Sequence, residues 1–234
     1  MLESCRYVGA GMAKQNEHGK LIAAAAKAAL TPLGCVRKGQ SRFWYSDQRF
    51  WAISIEFQPS GWSKGSYLNV GAMWFWYPKK SWSFDVGHRV DDADFISFES
   101  VGQFTPLIER MAERAAQEVI ALREQFKSIG AIHRYLISHP LREGAPVYHA
   151  AVAAALAGDM PAARQSFDRL AHWPTENLEW RRRLQSNGAA LATFLDDPPK
   201  FRSEVLVLIE GVRERLRLPP DPQCLEAMDS TGAT

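Results

Sequence analysis

Residues able to do chemistry are scattered along the 234 positions, and few stand at spacings that chemistry demands. The histidines His18, His88, His133, His139, His149 and His172 form no helical i, i+4 pair, and no H-E-x-x-H occurs. His88-Arg89 stands out because Asp85, Asp91, Asp92 and Asp94 surround it, and several carboxylate oxygens could hold a hard cation. A loop of solvated acids at a strand end accounts for the same residues more simply. Neither a metal nor a cofactor is expected. Gly9-Ala10-Gly11 begins a dinucleotide fingerprint but lacks the third glycine and a βαβ context. No phosphate-cradling G-x-x-x-x-G-K and no G-x-S-x-G elbow is present. No catalytic residue is nominated, and the balance leans away from an enzyme without excluding one.

Binding chemistry is better represented. Trp62 lies in Gly61-Trp62-Ser63-Lys64-Gly65, and Trp82 follows Lys79-Lys80-Ser81. Aromatic rings in loops beside lysines can anchor a protein partner or stack on bases and sugars. An alternative site would gather Arg42, Trp62, His88 and Arg89 with a carboxylate from Asp91, Asp92 or Asp94. Candidate binding residues are thus Arg42, Trp62, Trp82, His88 and Arg89. Arg181-Arg182-Arg183 follows Trp180 inside a helix, where three successive side chains fan over about 200° and cannot share one pocket.

Net charge is only +2, split as +3 over the first hundred residues and −1 over the rest. A nucleic-acid binder more often carries a concentrated basic face, so this balance gives that role no support. Cys5, Cys35 and Cys224 are odd in number and far apart, the pattern of reduced thiols in a cytoplasm. The N-terminus has no apolar signal core, and Leu21–Ala26 is far shorter than the roughly 20 residues of a membrane helix. A cytoplasmic, non-membrane protein is expected.

These residues need elements to position them. The Ala-rich run from Met12 to Leu30 predicts a helix, stopped by Pro32 and Gly34. Six of the eight tryptophans then fall between Trp44 and Trp82, where the apolar period shortens to two. Trp51–Phe57 and Tyr67–Tyr77 are the strongest strands, with Trp74 and Trp76 as core. Arg42–Tyr45, Phe84–Val90 and Phe95–Phe98 are weaker ones. Short connections favour an antiparallel meander. Helical spacing returns from Phe104 to Ile129, with Gly130 as its kink or end, and Ile132–Ser138 reads as another short helical piece before Pro140. Beyond Pro140 come helices over Val147–Ala157, Pro161–His172, Glu176–Leu195 and Lys200–Leu216, the third open to interruption at Asn187-Gly188. The expected architecture is α+β: an antiparallel β-meander of about four strands packed against two helices over residues 1–140, a helical region over 141–220, and a frayed tail over 221–234.

Two resemblances bear on this layout. Leu30-x-x-Leu33-Gly34, Arg37-Lys38-Gly39, Phe43-Trp44, Ile53-x-Ile55-x-Phe57-Gln58-x-Ser60 and Asn69-Val70-Gly71 resemble the bacterial domain of unknown function 4304 family over residues 12–140. Cys35 departs from the aromatic residue expected after the glycine. The resemblance implies a helix, a strand meander and a later helix, and it brings no settled activity. Ala153–Asp159 with Ala162, Ala163 and Phe167 is similar to one tetratricopeptide-type hairpin.

The leading expectation is a non-enzymatic module that binds a protein partner or self-associates, with an immunity or toxin-neutralising role as one concrete form. The second is a small-ligand binder or enzyme with a pocket between sheet and long helix. The third is a single-stranded nucleic-acid binder, whose affinity would fall steeply with salt.

Overall fold

The computed structural model describes residues 17–90, 95–139, 143–176 and 178–226. It is an α+β protein. Strands β1 (Val36–Arg37), β2 (Phe43–Asp47), β3 (Trp51–Gln58), β4 (Gly65–Trp74) and β5 (Val86–Val90) lie in that order in an antiparallel sheet, and β6 (Ile96–Ser97) pairs with β4. The sheet therefore has six strands where about four were expected; β6 falls within the weak strand expected over Phe95–Phe98, and β1 is a two-residue pairing too short to show a period. The α-helices are α1 (Glu17–Leu30), α2 (Val101–Gln125), α3 (Ile129–Ser138), α4 (Ala145–Leu156), α5 (Met160–Ala171), α6 (Glu179–Ala192) and α7 (Pro198–Leu216).

Local chemistry sets these boundaries. After α1, Thr31–Leu33 form a 3-10 turn that Gly34 closes at φ 71°, its N–H bonding to the Thr31 carbonyl at 2.9 Å. The helix expected over Phe104–Ile129 ends earlier, at Gln125, and the short helix expected over Ile132–Ser138 is α3, which begins at Ile129. Ser128 caps α3 by accepting the Ala131 N–H at 3.1 Å, so the break precedes Gly130. Asn187-Gly188 does not interrupt α6. A Cβ on Gly188 would lie 2.6 Å from Leu170 Cδ2, so the glycine permits α5 and α6 to approach closely.

The chain forms two compact units. Unit 1 is Met1–Ser46, Ile55–Val70 and His88–Val119, and unit 2 is Asp47–Ser54, Gly71–Gly87 and Ile120–Thr234. The division does not fall at residue 140. Strands β3 and β4 and helix α2 each contribute residues to both units.

Unit 1 buries Ile55, Phe57, Leu68 and Val70 of the sheet, Ile22, Ala26 and Leu30 of α1, and Phe104, Ile108 and Ala115 of α2. Leu68, Val90, Leu107 and Met111 line one small cavity, which identifies the sheet face that α2 covers. Glu56, Gln58, Tyr67 and Asn69 alternate with the buried residues and are half-exposed.

Unit 2 is built on aromatics. Trp51 and Trp74 meet Phe126 edge-on at 5.6 and 5.1 Å, and Trp74 stacks on Trp76 at 5.3 Å. Each such side chain taken wholly from water contributes roughly 1.5–3 kcal/mol. Helix α4 is buried on all sides from Val147 to Ala155, so it is an interior helix with no solvent face. Of the expected tail, Cys224 and Leu225 are buried and Asp221 pairs with Arg49, while residues 227–234 lie outside the described residues.

Candidate functional site

In unit 1 the strand alternation separates the predicted residues. His88 and Arg89 are neighbours in β5 and so project to opposite faces. His88 Nε2 is 3.7 Å from Glu118 on α2, whose carboxylate also takes Arg114 at 2.8 Å. Arg89 lies over the Tyr67 ring, 4.0 Å from its centroid, and donates to Gln58 Oε1 at 2.8 Å. Gln58 Oε1 also accepts from Asn69 Nδ2 at 2.8 Å, so these four side chains hold one another in place on the uncovered face.

The turn between β3 and β4 carries Trp62, which is 98% exposed. Its base is anchored. Arg42 donates to the Gly65 carbonyl at 2.9 Å and to His18 Nε2 at 2.8 Å. An arginine has no acceptor, so His18 receives that bond on Nε2 and is neutral. Burial, Arg42 and Lys64 all lower the His18 pKa, in agreement with that assignment. Gly65 itself adopts φ 148°, and a Cβ there would fall 2.1 Å from the Ile96 carbonyl oxygen. Arg42 therefore anchors the end of the loop that carries Trp62, and Arg89 on β5 shares the uncovered face with Tyr67, Gln58 and Asn69, while His88 faces α2. Asp91, Asp92 and Asp94 lie outside the described residues. Trp82, half-buried and engaged in a contact of its own, belongs to unit 2. Within unit 1, His88 and Arg89 therefore do not converge.

Unit 2 holds a polar cluster that the sequence did not reveal as a cluster. Lys79 and Asp85 form an ion pair with side chains only 12% and 8% exposed. The Trp74 N–H also donates to Asp85, at 2.8 Å. His149, fully enclosed on α4, accepts the Trp76 indole N–H on Nδ1 at 2.9 Å, so its own proton sits on Nε2, 3.5 Å from Asp85. Its neighbour Tyr148 donates to the Trp76 carbonyl at 2.9 Å. Burial alone would raise the Asp85 carboxyl, but His149 and Lys79 together hold it well below the carboxylate range. Burial lowers the pKa of His149 against the opposing pull of Asp85.

Beside Lys79 opens a cleft of about 500 Å³ lined by Tyr77, Pro78, Lys79, Lys80, Arg183, Asn187 and Arg215. Of Arg181–Arg183, Arg183 alone lines it; Arg181 packs against Trp173 and Trp180 at 4.5 and 5.4 Å and pairs with Glu176. The lining residues come from chain segments too distant to form a motif, and only Lys79-Lys80 gave a local hint. A larger cavity of about 610 Å³ in unit 1 is walled mainly by alanines of α1 and residues of α2 and gathers no cations.

Among the described residues no three His, Cys, Asp or Glu side chains are placed to hold a metal ion, and no helix is long and apolar enough to cross a membrane. No family model, curated protein or solved structure matches the chain, so its function is to be read from the residues themselves.

Proposed function

We propose that this protein acts by binding a protein partner, without chemistry of its own, through the β3–β4 hairpin of unit 1. The observation that carries the reading is Trp62, a large indole left 98% exposed on a turn whose base is tied down by Arg42, His18 and Gly65. A turn anchored at its base gives up little further backbone entropy when a partner covers it, and Trp, Tyr and Arg are the residue types that dominate interface energetics. Tyr67 and Arg89 supply the other two types on the same hairpin and the adjoining strand. A toxin-neutralising role in a bacterial cytoplasm, with Cys35 and Cys224 reduced, is the concrete form we favour. It accords with the resemblance to the domain of unknown function 4304 family.

The test is affinity enrichment from source-cell lysate with wild type, Trp62→Ala and Arg89→Ala, followed by titration of the purified partner. A specific partner whose affinity falls by roughly 30-fold or more in Trp62→Ala is the expected result. A partner bound equally well by both variants would refute the role of the hairpin. Recovery of nucleic acid, with affinity falling steeply with salt, would replace the reading with the third expectation.

A further inference from the structure

The cleft of unit 2 is independent of the hairpin and has a different chemistry. Its walls come from the segment after β4 (Tyr77–Lys80), from one face of α6 (Arg183 and Asn187, four residues apart) and from the last turn of α7 (Arg215). Four cations line it and no carboxylate does. Lys79 is neutralised by Asp85, which leaves Lys80, Arg183 and Arg215 facing the cavity.

None of these three charges is firmly compensated. Lys80 has no carboxylate partner among the described residues. The nearest acid to Arg183 is Glu179, at 3.9 Å on the same helix. Arg215 donates Nε to the Lys79 carbonyl at 2.9 Å, a bond that fixes the guanidinium plane and leaves both Nη groups available. Arg213 and Arg215 both lie in the last turn of α7, where the helix dipole favours a cation. The dipole does not account for Lys80 and Arg183 joining Arg215 around one cavity. Like charges drawn together from three elements repel one another unless an anion lies between them.

Neutral donors complete the lining. Burial raises the Tyr77 hydroxyl pKa, with Arg183 opposing and Asp85 adding to the rise, so the hydroxyl keeps its proton and can donate. The Asn187 amide offers a second neutral donor. About 500 Å³ suits a ligand of nucleotide or sugar-phosphate size, and Pro78 with the Tyr77 ring gives the non-phosphate part an apolar wall.

We propose that this cleft binds a small phosphoryl-bearing molecule, whose phosphoryl oxygens are shared by Lys80, Arg183 and Arg215. Guanidinium groups match such oxygens two at a time, and three cations suit a multiply charged group better than a single carboxylate. The cations are confined to one cavity in a chain of net charge +2, which favours a compact ligand over a nucleic-acid strand.

Calorimetric titration of the full chain with inorganic phosphate, pyrophosphate, a nucleoside monophosphate, a hexose phosphate and sulfate tests the proposal. The expected result is saturable one-site binding of at least one phosphoryl compound, tighter than sulfate. Arg183→Gln and Arg215→Gln should each weaken it by roughly tenfold or more, and Lys127→Gln, a surface cation outside the cleft, should not. Thermal melts establish that the variants are folded, and Arg215→Lys should recover only part of the affinity because it keeps the charge and loses the fork. The relative strength of the free-phosphate and organic-phosphate arms identifies the source of the phosphoryl group. Absence of binding in every phosphoryl arm, affinity unchanged in both glutamine variants, or tighter binding of a single-stranded oligonucleotide than of any small phosphate would each overturn the proposal.

Discussion

Trp62 and Trp76 flank the same strand, one before β4 and the other after it, and they meet opposite surroundings. Trp76 in unit 2 is wholly buried, its indole N–H taken by His149 and its carbonyl by Tyr148. Trp62 in unit 1 is bare. The polar groups divide in the same way. Unit 1 spreads Gln58, Asn69 and Arg89 over a face open to water, whereas unit 2 encloses Lys79, Asp85 and His149 among aromatic rings. Trp76 is core with both its indole N–H and its carbonyl matched by dedicated partners, and burying a charge requires the same provision. Unit 2 therefore stakes more stability on single polar residues than unit 1 does.

The largest consequence should appear at Asp85. Replacing it with alanine leaves Lys79 as an enclosed cation and strips the Trp74 N–H of its acceptor, a defect that typically costs about 3–5 kcal/mol. Chemical denaturation should record that loss, and the pair Lys79→Met with Asp85→Leu should recover much of it. A loss below about 1 kcal/mol in Asp85→Ala would mean that water reaches the pair, and the contrast between the units would collapse.

Arg213 comes next. It is 3% exposed and donates to both oxygens of Asp47 at 2.9 Å, to the Pro219 carbonyl and to the Arg49 carbonyl. Those bonds secure a turn in which Arg49 itself sits at φ 72°, a conformation a non-glycine residue adopts only when held. Arg213→Ala should cost about 2–3 kcal/mol in the same measurement, and Arg213→Lys should rescue little, because an ammonium cannot reproduce the fork.

How much of this was legible depended on distance along the chain. Trp51–Phe57 and the helix ending at Leu30 announced themselves by period and by Pro32 and Gly34, since those signals are local. β1 was invisible because two residues have no period, and the break at Ser128 was hidden because Phe126 and Ile129 continue the apolar stripe across it. The apolar run Val147–Ala155 was in plain view as a sign of an interior helix, yet its small residues were read as one half of a tetratricopeptide-type hairpin. His149 and Asp85 could not be joined from sequence, because burial alone decides that they interact. The same holds for the cleft, where Lys80, Arg183 and Arg215 share no motif.

A smaller effect, and one with a sign, belongs to His149. Its folded pKa is depressed below the ordinary 6.5, so between the two values the unfolded chain binds a proton that the folded chain resists. The stability it contributes is complete above pH 6.5 and is lost as the pH falls through the folded value. His18 in unit 1 shifts in the same direction, for reasons of burial and the nearby Arg42 and Lys64. Denaturation midpoints should therefore fall from about pH 7 to about pH 5, and the decline should be shallower in His149→Gln. An equal slope in that variant would show that His149 takes up its proton without penalty, which would require its bond from Trp76 to be dispensable.

The smallest expected change in stability is at Trp62. Its ring has nothing to lose on truncation, so Trp62→Ala should leave the midpoint within about 0.5 kcal/mol of wild type. The same substitution at Trp76 should cost about 3–5 kcal/mol, as truncation of an enclosed aromatic does. Two tryptophans flanking one strand would then differ severalfold in their hold on the fold. A clear destabilisation in Trp62→Ala would show that the indole covers part of unit 1 in solution. Near-neutrality leaves recognition as the use for a side chain that folding does not need.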